Sequence, residues 1–281
     1  MLNNRILITG ATGFVGKQVI KRLCDLDVKI YLVLRPGKEN IFHDIDAVQS
    51  IIFSDDVFKE SPAWWAEKCK DIDIVLHLAW YAEPGQYLES PLNEECYKGT
   101  SSIAQGAVLA GVKRFIGIGT CFEYKFSELP LEISSPLDPK TPYAKAKVKT
   151  FNYLSEFFDS HDVEFLWCRL FYLFGEGEDE RRLIPFLRKS LAAGKEVELT
   201  SGDKIKDYLD IQEASKIIAS LAINIHTGPY NVCSGQGVTI QSLAENIADE
   251  YDGRSLLKFG KLERASYDPP YIVGKKTDKN F

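Results

Sequence analysis

Paired metal-type cysteines are missing from this 281-residue chain. Its six cysteines, Cys24, Cys69, Cys96, Cys121, Cys168 and Cys233, contain no C-x-x-C, and the four histidines, His43, His77, His161 and His226, stand far apart. Without clustered thiol and imidazole ligands, no metal centre is predicted. Irregularly spaced thiols in a chain of this length fit a reducing compartment better than a disulfide frame. No apolar run is long enough to cross a bilayer, and the opening Met1-Leu2-Asn3-Asn4-Arg5 lacks the apolar core of a secretion signal. A cytoplasmic location with no membrane partner is therefore expected. Positive charge is not in excess: 34 Lys and Arg face 40 Asp and Glu, for a net charge of −6. Such a balance repels phosphate backbones, so nucleic acid is not an expected partner. No internal repeat and no low-complexity tract is present, which excludes solenoids and arrays.

What is present is ordinary globular composition, with 45% hydrophobic and 26% charged residues. Short apolar segments at 5–9, 29–34, 49–53, 73–78, 114–119 and 164–170 read as strands. Helical patterns separate them: one follows the first strand, a Trp-rich one follows Pro62, and others cover 93–111 and 142–160. The Trp64-Trp65 pair reads as helix core. Near-continuous apolar strands with helical crossovers predict an α/β fold, a Rossmann-type doubly wound parallel sheet. Beyond residue 170 the pattern loosens. Helices are predicted at 183–193, 211–224 and 240–251, with short strands near 197–199, 230–232 and 257–259. The predicted organisation is a dinucleotide-binding domain over 1–170. A smaller α/β lobe follows over 171–281, some of its segments returning to the sheet.

The first strand runs into Gly10-Ala11-Thr12-Gly13-Phe14-Val15-Gly16. Glycines at this spacing permit a tight turn, close approach of backbone to a pyrophosphate, and close helix–strand packing. The following helix presents free N–H groups to the phosphates. A glycine turn without a ligand is the bland alternative. The strand and amphipathic helix on either side favour a bound dinucleotide, with Gly10, Thr12, Gly13, Phe14, Val15 and Gly16 as contacts. At the end of the second strand, Leu34-Arg35-Pro36-Gly37-Lys38, no carboxylate appears until Glu39. An acidic residue there takes the adenosine ribose hydroxyls of NAD. Arg35, with Lys38 beside it, instead suits a ribose 2′-phosphate. NADP(H) is the favoured cofactor and NAD(H) the alternative.

Tyr143 and Lys147 lie one turn apart on the same face of the helix that opens at Pro142. An ammonium and a positive nicotinamide would both favour the phenolate, and so are expected to lower the tyrosine pKa and let it exchange a proton near neutral pH. Alone, the spacing is common on surface helices. It occurs here in order with the N-terminal glycines, His77-Leu78-Ala79 and Gly119-Thr120. Later come Arg169-Leu170-Phe171 with Phe174-Gly175, Leu183-Ile184-Pro185, Lys206-Asp207-Tyr208 and Tyr230-Asn231-Val232. This set resembles the extended short-chain dehydrogenase/reductase family, the sugar-nucleotide epimerases, dehydratases and reductases, over nearly the whole chain.

The resemblance implies a role for each matching position. Tyr143 would donate or accept the proton, Lys147 would orient the nicotinamide ribose, and Thr120 would hydrogen-bond the substrate oxygen. Asp56 and Val57 would contact adenine, with Leu78 and Ala79 also lining the cofactor. Lys206 and Arg264 would approach the substrate pyrophosphate, with Arg182 as a weaker candidate. Family pairing through two helices per subunit implies a homodimer. Several positions depart from the family. The dehydratase Asp-Glu pair after the threonine is Cys121-Phe122 here, and the positions of the epimerising Cys and His hold Phe122 and Arg182. Two usual asparagines are Cys96 and Tyr172. Water elimination needs an acid and a base beside the threonine. What remains is carbonyl–alcohol exchange on a nucleotide-linked sugar: NADPH-dependent reduction of a 4-keto-6-deoxy sugar. A 4-epimerase is the runner-up. A non-catalytic Rossmann protein that senses cofactor or binds a partner is a third class, disfavoured by retention of Thr120, Tyr143 and Lys147.

Overall fold

A computed structural model describes residues 4–42, 45–263 and 268–277. Seven parallel strands form its main sheet, in the order β10-β6-β5-β4-β1-β2-β3. The chain enters through β1 (Asn4–Thr9), α1 (Phe14–Leu23), β2 (Val28–Leu34), β3 (Val48–Phe53), α2 (Pro62–Lys68) and β4 (Ile74–His77). It continues through α3 (Leu92–Leu109), β5 (Arg114–Thr120), α4 (Pro142–Asp159) and β6 (Glu164–Leu170). After β7 (Tyr172–Phe174), α5 (Leu183–Ala192) and β8 (Val197–Glu198) come β9 (Ile205–Asp210), α6 (Ile211–Ile223) and β10 (Gly228–Val232). The last elements are β11 (Gly237–Thr239), α7 (Ile240–Asp249), β12 (Leu257–Lys258) and β13 (Tyr271–Ile272). The doubly wound parallel sheet expected from the sequence is the observed fold. The strand order reverses between β1 and β4, and such a switch point opens a crevice at the carboxyl ends of the strands.

Each face of the sheet has its own core. Ile6 and Ile8 of β1 point toward α1 and α6, packing with Val19, Ile20, Leu23, Ile218 and Leu221. Leu7 points the other way, into a core with Trp65, Ile103, Phe115, Phe158 and Trp167 beneath α2, α3 and α4. This alternation explains the unbroken apolar run in β1: a strand covered on both sides has no polar face. Local signals start the helices. Ser61 accepts a hydrogen bond from the Trp64 amide at 3.2 Å ahead of Pro62, and Thr141 does the same for Ala144 at 3.2 Å ahead of Pro142. That second cap fixes where α4 begins, and so where Tyr143 and Lys147 point.

The second half divides between two bodies. α6 and β10 return to the main sheet. A smaller sheet, β11-β9-β13 with β7 on β9, packs with α5 and α7 around Ile184, Leu187, Leu191, Ala244 and Ile247. Strands β7, β9, β11 and β13 were not expected from the sequence. The pattern of β9, Ile-Lys-Asp-Tyr-Leu-Asp, buries Lys206 and Asp207, so its hydropathy does not alternate as a strand's should. Asp207 is fully enclosed and accepts from the amides of Ser234, Gly235 and Gly274 at 2.8, 2.9 and 3.1 Å. It ties two loops of the small lobe to β9. All six cysteines are free, and no helix among the described residues is long and apolar enough to cross a membrane.

Candidate active site

The glycine turn sits at the switch point. Gly10 has φ of +74°, and a side chain there would meet the Ala79 amide nitrogen at 2.5 Å. A Cβ on Gly16 would fall 2.2 Å from the Gly10 carbonyl oxygen. Backbone strain excludes other residues at position 10, and contact excludes them at position 16. Gly13 caps α1 with no side-chain acceptor, and the first turn carries no acid. The turn is therefore a cradle of backbone N–H groups at a positive helix end, and these residues fit a dinucleotide pyrophosphate. Leu78 and Ala79 lie directly against it: their amides donate to the Thr9 carbonyl at 3.1 Å and the Thr9 hydroxyl at 3.4 Å. Thr9 also bonds His77 Nδ1 at 2.7 Å, and His77 Nε2 bonds Thr100 at 2.9 Å. Burial, with Lys147 nearby, lowers His77 to about 3, so its ring is a neutral strut between β1, β4 and α3. Asp56 accepts from the Phe58 amide at 3.1 Å in a tight turn after β3, and Val57 packs on the core beside it. Arg35 is exposed at the end of β2, with no ion pair among the described residues.

Thr120, Tyr143 and Lys147 converge above the ends of β4 and β5. The Thr120 side chain stands beside the Tyr143 phenol, close enough to influence its ionisation. Lys147 is 3% exposed, and its ammonium donates to the Ile118 carbonyl at 2.7 Å, 5.9 Å from the centre of the Tyr143 ring. The electrostatics differ from expectation. In the protein alone, burial raises the Tyr143 pKa, with Tyr87 adding to the rise and the nearby Thr120 opposing it. Burial likewise lowers Lys147 to about 7, against the pull of Cys96 and Glu123. A half-neutral ammonium has little charge to lend the phenol. Desolvation is the largest cause of both shifts. Cys96 lies 2% exposed beside Lys147 and takes the Tyr81 amide on its sulfur at 3.4 Å.

The sequence model of the NAD dependent epimerase/dehydratase family matches residues 6–233. The chain belongs to this family. A dTDP-6-deoxy-L-talose 4-dehydrogenase (NAD(+)) from Aggregatibacter actinomycetemcomitans is 28% identical over 96% of the chain and 99% of its own length. A GDP-6-deoxy-D-mannose reductase from Pseudomonas aeruginosa is 26% identical over 88% of the chain and 80% of its length. Among solved structures, the UDP-N-acetylglucosamine 4-epimerase from Methanobrevibacter ruminantium M1 superposes with a TM-score of 0.85 at 23% identity, over 99% of this chain and 91% of that one.

Against that family background, the basic residues expected around the substrate separate. Lys206 is buried, and its ammonium donates to Asp268 at 2.6 Å and to the Pro269 carbonyl at 2.7 Å; Lys204 pairs with the same carboxylate. Lys206 therefore faces an internal counter-ion, 5.3 Å from the centre of the Tyr172 ring. Arg182 is exposed at the start of α5, 5.8 Å from the centre of the Tyr87 ring. Arg264 lies outside the described residues. Cys121 and Phe122 belong to a single 3-10 turn rather than a strand. Burial pushes the Cys121 thiol up to about 12, so it is not a thiolate.

Sequence reasoning missed several residues that build the site. Glu123 is fully buried and accepts from the Thr120 amide at 2.8 Å, Trp167 Nε1 at 3.0 Å and Arg169 Nε at 2.7 Å. It sits three positions after Thr120, the capping-box spacing, so the sequence did carry its signal. Asn93 is 2% exposed and pins two aromatics: its oxygen accepts from Trp80 Nε1 at 2.8 Å, and its amide donates to the Tyr87 carbonyl at 2.6 Å. Trp80 and Tyr87 then pack edge-on against Tyr143, at 6.4 and 4.9 Å between ring centres. Tyr172 and Tyr208, 5.5 Å apart, extend the aromatic wall into the small lobe. No residue spacing announces that wall, because its rings come from four separate segments.

Proposed function

We propose that this protein is a nucleotide-sugar oxidoreductase that interconverts a 4-keto group and a 4-hydroxyl on a nucleotide-linked 6-deoxyhexose, running as an NADPH-dependent reductase. The carrying observation is the convergence of Thr120, Tyr143 and Lys147, the ammonium 5.9 Å from the phenol ring, beside a glycine cradle shaped for a dinucleotide. Residues 1–170 would hold the cofactor and residues 171–281 the sugar nucleotide. Gly10, Thr12, Gly13, Phe14, Val15 and Gly16 would bind the pyrophosphate, with Arg35 on the 2′-phosphate and Asp56, Val57, Leu78 and Ala79 along the adenosine and nicotinamide. When bound, the reduced nicotinamide would supply the hydride, and the ring would carry a positive charge only in its oxidised form. Thr120 fixes the substrate oxygen, Tyr143 passes it a proton, and Lys147 holds the ribose and stabilises the phenolate. The aromatic wall of Trp80, Tyr87, Tyr172 and Tyr208 suits the apolar face and methyl group of a deoxy sugar. The Aggregatibacter and Pseudomonas relatives support the reading, since both are named for 6-deoxyhexoses carried on a nucleotide.

Elimination and epimerisation through acid–base pairs are disfavoured by particular residues. Glu123 is locked to Arg169, and Cys121 stays protonated. A second cofactor reading, NAD(H), is favoured by Glu39, whose Oε2 is buried without a hydrogen-bond partner a few residues beyond β2, and by the NAD(+) of the Aggregatibacter enzyme's name. A 4-epimerase that retains its dinucleotide is the corresponding alternative activity. Pairing of two copies through α3 and α4 belongs to the same reading and is checked by sedimentation. The deciding assay follows NADPH oxidation with dTDP-, GDP- and UDP-linked 4-keto-6-deoxyhexoses. Wild-type turnover that falls by about a hundredfold or more in Tyr143→Phe supports the proposal. Turnover unchanged in that variant overturns it.

A further inference from the structure

The turn joining β7 to α5 rides on the helix that follows the glycine cradle. The Gln18 side chain donates to the Glu176 carbonyl at 3.2 Å, and Lys21 pairs with the Glu176 carboxylate at 3.2 Å. A Cβ on Gly177 would stand 3.9 Å from the Phe14 ring. The next residue, Glu178, continues this turn and has Tyr208 and Arg182 near it. Its Oε2 is shielded from solvent and has no hydrogen-bond partner in the protein. Buried polar atoms are almost always paired, so one in the turn that joins the cofactor helix to the small lobe calls for a ligand partner.

We propose that Glu178 is a ligand-binding residue whose carboxyl group donates a hydrogen bond to an oxygen in the nicotinamide half of the bound dinucleotide. This rests on the dinucleotide reading given above. Glu178 then closes the cofactor site from the side of the small lobe, so that one short turn senses occupancy of both halves of the cleft. The electrostatic setting supports a donor. Burial raises the Glu178 pKa to about 7, and Asp179 adds to the rise. The Gly175 amide and Arg182 hold it down. Tyr208 faces it from β9, and Lys21 and Glu176 on the α1 side neutralise each other. At and below neutral pH a large share of the carboxyl therefore carries the proton it would donate.

The test is dinucleotide binding followed by fluorescence at pH 6 and pH 8.5, with NADP+, NAD+ and 2′,5′-ADP as probes. Glu178→Ala is expected to weaken whichever dinucleotide the wild type binds by about five- to tenfold at pH 6, the worth of one hydrogen bond. It should leave 2′,5′-ADP unchanged, because that probe lacks the nicotinamide half. Wild-type affinity should drop between pH 6 and pH 8.5. Glu178→Gln, whose amide donates at every pH, should bind like wild type at pH 6 and lose nothing at pH 8.5. Dinucleotide binding by Glu178→Ala equal to wild type at both pH values overturns the inference alone. A wild type that binds neither dinucleotide overturns it together with the functional reading beneath it.

Discussion

The ammonium of Lys147 lies 3.5 Å from the centre of the Trp80 indole and donates to the Ile118 carbonyl, with the Trp167 and Tyr143 rings farther off at 5.7 and 5.9 Å. An ammonium has three donors. One is spent on the backbone, and the ring face covers a second direction, which leaves one side for a ribose. Trp80 is itself held by Asn93, so the position of the proposed catalytic amine is set by an aromatic residue two β-α units away in sequence.

The same burial makes Lys147 a stability probe. Its folded pKa is about 7, below the usual lysine value of 10.5. Between these values the unfolded chain holds a proton that the folded chain has released, so stability from this group rises with pH and is lost as pH falls toward 7. The slope is at most about 1.4 kcal/mol per pH unit. Urea unfolding of wild type and Lys147→Met at pH 7, 8 and 9 isolates it, because other titrating groups cancel in the difference. Wild type should gain steadily on the variant as pH rises. A difference that stays flat would mean that Lys147 keeps its charge throughout.

Glu123 and Arg169 make a buried ion pair, with side chains 0% and 1% exposed. Removing one member leaves an unpaired charge in the core, and Glu123→Gln should cost about 3–5 kcal/mol in urea unfolding. The double variant Glu123→Gln/Arg169→Met should recover most of that loss, since a neutral pair has little to desolvate. Equal stability of the single and double variants would refute this account.

How much of this could be read in advance follows from what each residue touches. β1, β4 and β5 were legible because burial on both faces demands apolar side chains throughout. Tyr143 and Lys147 were legible because a helix fixes their separation and Thr141-Pro142 fixes the helix. β9 was not, because Lys206 and Asp207 find partners inside the fold through Asp268 and three loop amides. Trp80, Tyr87 and Glu178 matter through contacts made across the cleft, and a chain of letters does not hold those distances. The sign of the Tyr143 shift also depended on burial, which spacing alone does not supply.

Gly16 tests the cradle directly. A methyl group there would sit 2.2 Å from the Gly10 carbonyl, which forces α1 away from β1. Gly16→Ala should lower unfolding stability by about 1–3 kcal/mol, the range for overpacking. It should also weaken dinucleotide binding more than it weakens UDP-sugar binding, because only the former uses this turn in the proposed mode. Equal losses for both ligands in calorimetric titrations would argue for general unfolding instead.

Arg35 and Glu39 would engage the two cofactors differently. It is exposed at the end of β2 without an ion pair among the described residues, so its guanidinium is free to take a 2′-phosphate bidentately. Glu39, with its buried unpartnered oxygen, is the residue through which the ribose hydroxyls of NAD would compete. Fluorescence titration of wild type, Arg35→Ser and Glu39→Gln with NADPH and NADH separates the two. With Arg35 in control, wild type binds NADPH more tightly, and Arg35→Ser loses about tenfold to a hundredfold for NADPH, the worth of a charge-assisted bond, with NADH little changed. Glu39→Gln should then leave both affinities within a small factor of wild type. Tighter NADH binding in wild type, abolished by Glu39→Gln and untouched by Arg35→Ser, would hand the site to NAD. It would also move the activity toward the 4-epimerase reading or toward 4-dehydrogenation.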